Sequence, residues 1–459
     1  MTVNLKGFRK NVMGLLAGQL TRLGLQAAYF VVLARMLGTA EYGAFAAALA
    51  LAALVAPFSS LGANAIMVRN VSRKAAVASA EWLRALGYSV VVGLLLALGV
   101  TALTDLIAPP EVSYMTIFQV VIADVIGVKL VELAGMLWQA LGRTRALIIL
   151  PAVINACRLG AATGVTLMAP DIGLENWCTA YLVATMPIAM AAVFVTTLKL
   201  GRAKAGFQLR WSDVREGMLF SIAGSAQNVY NDIDKAMLGR LSSVTSAGLY
   251  SAAYRVIDMA YAPIRAVAAA AYPHFFREGE RGLYAAMHLT RKIAPLVLGL
   301  GALAAVGAFL AAPIAPLLLG DDYAEAVDLI RLLALLIVLR AASYLAADTL
   351  TGCGRQGFRT LAQVGAALVN VGLNLFIIPT WGVYGAATVT LVCEGLLALV
   401  LWSHIWWVLR REKSGRGRRR LTKSRYRRRA RRRTGNRSHE PAEADKNSPL
   451  SVSGYREGL

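Results

Sequence analysis

The 459-residue chain is 57% hydrophobic and only 16% charged, yet carries a net charge of +22. Soluble domains carry about a quarter charged residues, and the apolar residues here fall in blocks of roughly 20, each long enough to cross a bilayer core as a helix. A soluble globular protein is excluded, and so is a membrane barrel, whose strands are shorter and alternate with period two.

In chain order the predicted spans cover roughly 11–34, 43–67, 84–104, 114–140, 146–168 and 176–198, then 216–238, 248–271, 290–311, 328–350, 360–378 and 383–408. Lys6, Arg9 and Lys10 precede the first span as in a signal peptide. That span contains Arg22 and is too long for a signal core, so it reads as an uncleaved first membrane helix. The four cysteines and four histidines are scattered, with neither metal spacing nor a disulfide framework.

The two sets of six resemble each other. Met36-Leu37-Gly38 recurs as Met237-Leu238-Gly239, 201 residues later. Each copy is followed by a glycine (Gly43, Gly248) and then a proline (Pro57, Pro263). Further on, Leu141-Gly142-Arg143 matches Cys353-Gly354-Arg355, and Pro170-x-x-Gly173 matches Pro379-x-x-Gly382. In so apolar a chain this is the pattern of a transporter built from two repeated bundles.

Loop charge orients the repeat. Alternate connections carry Arg69, Arg73 and Lys74; Arg143 and Arg145; Lys199, Arg202, Lys204 and Arg210; Arg277 and Arg281; Arg355 and Arg359. The others carry mainly acids, such as Asp105, Glu111, Asp321 and Asp322, with Arg240 their one clear base. Basic loops favour the cytoplasm. The expected fold is therefore an all-α integral membrane protein: twelve transmembrane helices in two parallel-repeat six-helix lobes around a central cavity, with both termini cytoplasmic. The lobes are 1–198 and 216–409, joined by a basic cytoplasmic linker, 199–215.

Residues 410–459 hold 18 Lys and Arg against 5 Asp and Glu. This Arg-rich cytoplasmic tail is expected to be disordered when free. Its basic part, 410–437, lies where it would be drawn to anionic lipid head groups, at about 1 kcal/mol per basic residue. Arg runs also bind nucleic acid without sequence preference, but one aromatic residue, Tyr426, is too little for a stacking platform. Nucleic acid is the weaker reading, and a plain topology anchor the simplest.

One motif-like stretch carries no chemistry. Gly352-Cys353-Gly354-Arg355-Gln356-Gly357 has dinucleotide-loop spacing but follows a membrane helix, with no βαβ unit around it. It reads as a flexible cytoplasmic turn. The chain has no P-loop, and nothing points to a catalytic constellation, metal or cofactor.

The informative residues are polar groups within spans, each costing roughly 2.5–3.5 kcal/mol at mid-membrane unless it faces a partner or a wet cavity. Gln19, Arg22, Gln26 and Tyr29 form one stripe on the first span, within about 80° at 100° per residue. Arg35 lies off that stripe and reads as structural, with Glu41 as candidate partner. The seventh span carries Gln227, Asn228, Asn231, Asp232, Asp234 and Lys235 over an arc of about 160°. Arg255, Asp258 and Arg265 share a face of the eighth, where Arg255 and Asp258, three apart, can touch. Lys129 and Glu132 are spaced for a local pair, and Asp124, Asn155, Arg340, Asp348 and Glu394 lie on other spans. Arg22, Arg158 and Arg265 have no obvious partner on their own span. Arginine keeps its charge when buried and its planar fork suits phosphate. Unpaired arginine at this depth points to a cavity for an anionic substrate, lined by Arg22, Gln26, Arg158, Asn228, Arg255 and Arg265. Asp232, Asp234 and Asp258 are the candidate ion-coupling groups.

Leu33-Ala34-Arg35-Met36-Leu37-Gly38 with Glu41-Tyr42-Gly43-Ala44-Phe45 resembles the start of the polysaccharide repeat-unit (O-antigen-type) flippases, of the multidrug/oligosaccharidyl-lipid/polysaccharide exporter superfamily. Asp232-Ile233-Asp234-Lys235 through Leu238-Gly239, the stretch Ala247-Gly248 to Tyr254-Arg255, and Pro273 are similar to the same family. The resemblance covers residues 10–409 in layout and excludes the tail. It implies a multi-pass cell-membrane flippase, not an enzyme, that moves polyprenyl-diphosphate-linked glycans to the outer leaflet for O-antigen, capsule or exopolysaccharide. It needs no cofactor beyond a proton or sodium gradient, and polysaccharide assembly proteins are further candidate partners. The rivals are a lipid II flippase, which typically adds two C-terminal helices, and a multidrug exporter, whose cationic drugs an arginine-rich cavity would repel. A membrane glycan polymerase or glycosyltransferase needs larger outer loops than these.

Overall fold

The computed structural model describes the backbone of residues 5–143, 145–168, 173–201 and 211–434, and most side chains from Thr21 to Glu412. Every regular element among the described residues is helical. The helices are α1 (Leu5–Val55), α2 (Ala63–Arg73), α3 (Ala78–Ala102), α4 (Thr104–Ile107), α5 (Tyr114–Val121), α6 (Lys129–Ala140), α7 (Ala146–Met168) and α8 (Leu174–Leu200). After the connector come α9 (Trp211–Leu241), α10 (Val244–Glu280), α11 (Leu283–Ala311), α12 (Ile314–Leu319), α13 (Ala326–Gly352) and α14 (Gln356–Thr434). A π-helical stretch, Ile122–Val128, joins α5 to α6. Most of the connector, 202–210, lies outside the described residues.

The helices coincide with the predicted spans, with three departures. First, α1 and α14 each run through two spans and bend at a glycine, Gly38 (φ 65°) and Gly382 (φ 53°), in a backbone region that L side chains avoid. Among the described residues, seven helical stretches are long and apolar enough to cross a membrane, two of them these bent ones. Second, the second span breaks at Ala56–Phe58 and resumes as α2. Pro57 has no N–H to give to Ala53 O, so the helix cannot continue unaided. Asn228 Nδ2 donates to that carbonyl at 2.6 Å, and Ser225 Oγ to Leu54 O at 2.8 Å. Third, the tail expected to be disordered continues α14 as helix to Thr434. No proline lies between Pro379 and Pro441, and Arg and Lys are strong helix formers. Residues 435–459 are outside the described part.

The repeat has a physical meaning at two places. Gly142 (φ 81°) and Gly354 (φ 72°) end α6 and α13 with the same cap. In one copy Gly142 N donates to Gln139 O and Arg143 N to Trp138 O; in the other, Gly354 N to Thr351 O and Arg355 N to Leu350 O. These are paired Schellman bonds, requiring a left-handed residue at the turn. The segment around Gly354 is thus a built helix terminus. The second place is the seam between the halves, where Gly43 of α1 meets Gly248 of α10 backbone to backbone. A Cβ on Gly43 would stand 1.7 Å from Val244 O, and one on Gly248 2.0 Å from Thr39 O.

Further bonds join the halves at this same end. Arg35 donates to Leu317 O at 2.6 Å, Tyr323 Oη to Gly38 O at 3.1 Å, and Arg240 to Asp105 O at 3.1 Å. Arg35 is structural, as its position off the polar stripe implies, but its partner is a carbonyl of the other half and not Glu41. Where α2 begins, Gly62 approaches Gly217 of α9 closely enough that a Cβ would sit 2.2 Å from Gly217 O. Two apolar clusters fill the interior: a large one spanning both halves, and a smaller one within the first half around Trp82 and Met67. The described residues up to Ser403 form one compact unit. Those from His404 on belong to a second, in which Arg411 lies over the Trp407 ring at 3.9 Å.

Gly248→Val should lower the melting temperature sharply, by at least about 3 kcal/mol of stability given backbone within 2 Å of the new side chain. Gly99→Ala, where nothing lies within 4 Å, should leave it unchanged or slightly raised. Thermal unfolding of the two purified variants, followed by thiol labelling, reads the difference.

Candidate functional site

Below the Gly43–Gly248 contact the halves part around a cavity of about 320 Å³. The first half contributes Gln26, Tyr29 and Tyr42 from α1, Asp124 from the π stretch, Asn155 and Arg158 from α7, and Tyr181 from α8. The second half contributes Asp232 and Lys235 from α9, and Ser251, Tyr254, Arg255 and Asp258 from α10. Helical spacing explains the grouping: Ser251, Tyr254, Arg255 and Asp258 recur every three or four residues and share one face of α10. Tyr29, Tyr181, Phe45 and Trp177 make an aromatic wall, with ring centroids 5.1 Å apart for Phe45–Tyr181 and 6.1 Å for Tyr29–Trp177.

The three acids of the cavity are each paired. Asp124 accepts from Arg158 at 3.0 Å and from Tyr181 Oη at 2.7 Å. Asp232 pairs with Lys235, one turn along α9, whose ammonium also stands 4.5 Å from the Tyr254 ring centre. Asp258 pairs with Arg340 of α13 at 3.0 Å. Arg340 is buried and also donates to Tyr254 Oη. Arg255 is different. Its Nε donates to Tyr42 Oη at 3.1 Å and its guanidinium lies 5.8 Å from the Phe30 ring centre. Among the described residues it alone of the lining cations has no carboxylate partner. Two hydroxyls in the same wall, Tyr29 Oη and Ser251 Oγ, are buried with no hydrogen-bond partner. Such groups in a polar cavity mark where a ligand or water belongs.

Of the residues singled out from sequence, Gln26, Arg158, Arg255, Asp232 and Asp258 come together in this cavity. Arg22, Asn228, Arg265 and Asp234 are not among its lining residues. Arg22 lies one turn before Gln26 on α1. Asn228 caps the carbonyl freed by Pro57. Arg265 is exposed and donates to Asp258 O at 2.8 Å. Asp234 is 2% exposed, bonded by Tyr250 Oη and by Thr390 Oγ1 at 3.3 Å, so it ties α9, α10 and α14 together inside the second half. Arg158 has a partner on another helix, and Arg255 reaches Tyr42 in place of Asp258. The Lys129–Glu132 pair forms at 2.7 Å. The side chains of Gln19 and Gln227 lie outside the described residues.

Tyr42, Tyr181, Ser251 and Tyr254 line the cavity without having been singled out as site residues. Tyr254 and Ser251 had a signal in their spacing, one and four residues before Arg255, and Tyr42 in its place beside Gly43. A second polar centre lies within the second half, where Tyr230 and Ser343 both donate to the buried Glu394. Arg359 of α14 pairs with Asp348 at 3.7 Å.

This arrangement of helices is that of the multidrug/oligosaccharidyl-lipid/polysaccharide (MOP) superfamily transporters. An inward-facing multidrug resistance MATE family transporter of that superfamily superposes with TM-score 0.68 at 13% identity, over 86% of this chain and 99% of that one. The lipid II flippase MurJ, in an inward closed conformation, gives 0.66 at 10% identity, over 86% of this chain and 87% of that one. A MOP superfamily transporter from Pyrococcus furiosus, described as having a binding pocket of reverse polarity that suggests a different function, gives 0.60 at 14% identity, over 85% and 93%. No curated protein gives a match. The model of the polysaccharide biosynthesis protein family matches residues 8–278, more than half the chain, and the chain belongs to that family. It is a multi-pass cell-membrane protein.

Asp258 and Arg340 should be energetically coupled. In a double-mutant cycle of Asp258→Asn and Arg340→Met, unfolding of the purified protein should show an interaction of about 1–2 kcal/mol. Asp258 is partly open to cavity water, which keeps the coupling below that of a fully buried pair.

Proposed function

We propose that this chain is a flippase that carries polyprenyl-diphosphate-linked oligosaccharide repeat units from the cytoplasmic to the outer leaflet by alternating access. The observation that carries the reading is Arg255: a guanidinium at the seam of the halves, held by Tyr42 and Phe30, with no carboxylate to neutralise it and two unpartnered hydroxyls in the same cavity wall. A cation already paired offers little to a ligand, whereas Arg255 has N–H donors to give. Guanidinium and phosphate bind through charge-assisted bonds worth about 1.5–3 kcal/mol each. Gln26, Asn155 and the cavity tyrosines supply polar and aromatic surface for sugar.

In this reading the helices make twelve crossings, six per half, with both termini cytoplasmic as the loop charges require. The Gly43–Gly248 end then faces outward and is closed. Rocking of one half against the other would open it and carry the head group across, while the prenyl tail stays in lipid. Asp232 and Asp258 at the cavity, and Asp234 behind it, are the acids on which a proton or sodium gradient would act. The basic part of the tail, 410–437, favours anionic lipids of the inner leaflet. Membership of the polysaccharide biosynthesis family supports a glycan cargo over a drug. A lipid II cargo presents the same diphosphate, and only transport of defined substrates separates the two.

Arg255→Ala should reduce flipping of a lipid-linked repeat unit in proteoliposomes by at least about 100-fold, the low end of what the loss of two such bonds gives. Cells carrying it should accumulate the substrate in the inner leaflet. Unimpaired flipping overturns the assignment of Arg255, and wild-type flipping insensitive to both proton and sodium gradients overturns the coupling.

A further inference from the structure

Asp124 is the cavity acid whose setting is built most deliberately. It lies in the π stretch Ile122–Val128. Such turns are rare, and they are frequent at functional sites. The stretch presses on α8 at Gly127, where a Cβ would come within 3.0 Å of Thr185 Cγ2. Thr185 Oγ1 in turn accepts from Arg158 Nε at 3.0 Å while donating to Tyr181 O at 2.8 Å. The guanidinium of Arg158 stands 3.9 Å from the Tyr181 ring centre, and the Tyr181 hydroxyl bonds the same Asp124 oxygen that Arg158 does. Arg158 is therefore held on three sides by α8 and the π stretch. The Asp124 pair is the one ionic contact among these, and both members line the cavity.

We propose that Asp124 is a built-in rival for the substrate's anionic head group, holding Arg158 until a diphosphate displaces it. This rests on the functional reading above and deepens it. Arg255, free of any carboxylate, takes the first phosphate. The second must compete with Asp124 for Arg158. A head group with a single phosphate is satisfied by Arg255 alone and leaves the Asp124–Arg158 pair closed. Asp124 thus acts through Arg158 as a positioning residue, and it sets how much negative charge a ligand must bring. The geometry suits exchange: Asp124 leaves 25% of its side chain open to the cavity, and the Thr185 and Tyr181 contacts keep Arg158 in place when the acid lets go.

The test is binding of undecaprenyl diphosphate and undecaprenyl monophosphate to the detergent-purified full chain by calorimetry. Asp124→Asn keeps the shape and removes the rival charge. It should tighten diphosphate binding about tenfold, the usual scale for one charged pair lost or gained, and change monophosphate binding less than twofold. In Asp124→Asn/Arg158→Gln the tightening should vanish relative to Arg158→Gln alone, which a merely structural role for Asp124 does not predict. Diphosphate binding unchanged or weakened in Asp124→Asn overturns the proposal. If that variant does not fold, Tyr181→Phe serves. It keeps the ring under Arg158 but takes away the other donor to Asp124, so the acid holds Arg158 harder and diphosphate binding weakens roughly threefold; unchanged or tighter binding overturns the proposal. Wild-type protein that binds no diphosphate at all overturns the flippase reading itself, whereas wild-type binding without the Asp124→Asn gain overturns only the rival.

Discussion

The halves meet where neither has a side chain. Gly43 and Gly248 lie backbone against backbone, and no other residue fits at either position. This contact orders the residues around it. Tyr42 is the neighbour of Gly43, and Arg255 follows Gly248 by two helical turns on the same face of α10, so closing the glycine contact delivers the Arg255 guanidinium to the Tyr42 hydroxyl. The cavity starts there and lies between the halves because the helices can touch this closely only at the glycines.

Electrostatics then divides the interior. Each cavity acid has a cation, and the pairs Asp124–Arg158 and Asp258–Arg340 are each capped by a tyrosine, Tyr181 and Tyr254. Desolvation explains the pattern: an isolated charge in so apolar a surround is costly, and paired, hydrogen-bonded charges are tolerable. Arg255 departs from it. Its charge is sheltered by an aromatic face and a phenol, neither of which neutralises it, so the cavity keeps one cation for use. The two halves share a scaffold but hold their charges differently, the first through α7 and α8, the second through α9, α10 and α13.

Much of the fold was legible in the chain. The lengths of the apolar blocks placed the helices, and the glycine–arginine repeats turned out to be matched Schellman caps. The candidate site was legible only in part. Gln26, Arg158, Arg255, Asp232 and Asp258 were singled out because polar and charged groups at membrane depth are rare and each asks for a reason. Asn228 misled for an equally physical cause: a polar residue at depth serves a backbone carbonyl as readily as a ligand, and Pro57, on another helix and 171 positions earlier, had freed one. Asp234 likewise serves packing between helices of the second half.

Composition and the lengths of the apolar blocks by themselves determined that this is a multi-helical membrane protein, because these properties are local and each helix must satisfy the bilayer alone. Partner choice was decided only by the tertiary structure. Arg158 looked unpaired because Asp124 is 34 residues away on another helix, and Arg255 looked paired because Asp258 is three residues away on its own. Local spacing shows which charges can touch within a helix. Which of them do touch, and which cation is left for an anion, depends on how the helices pack.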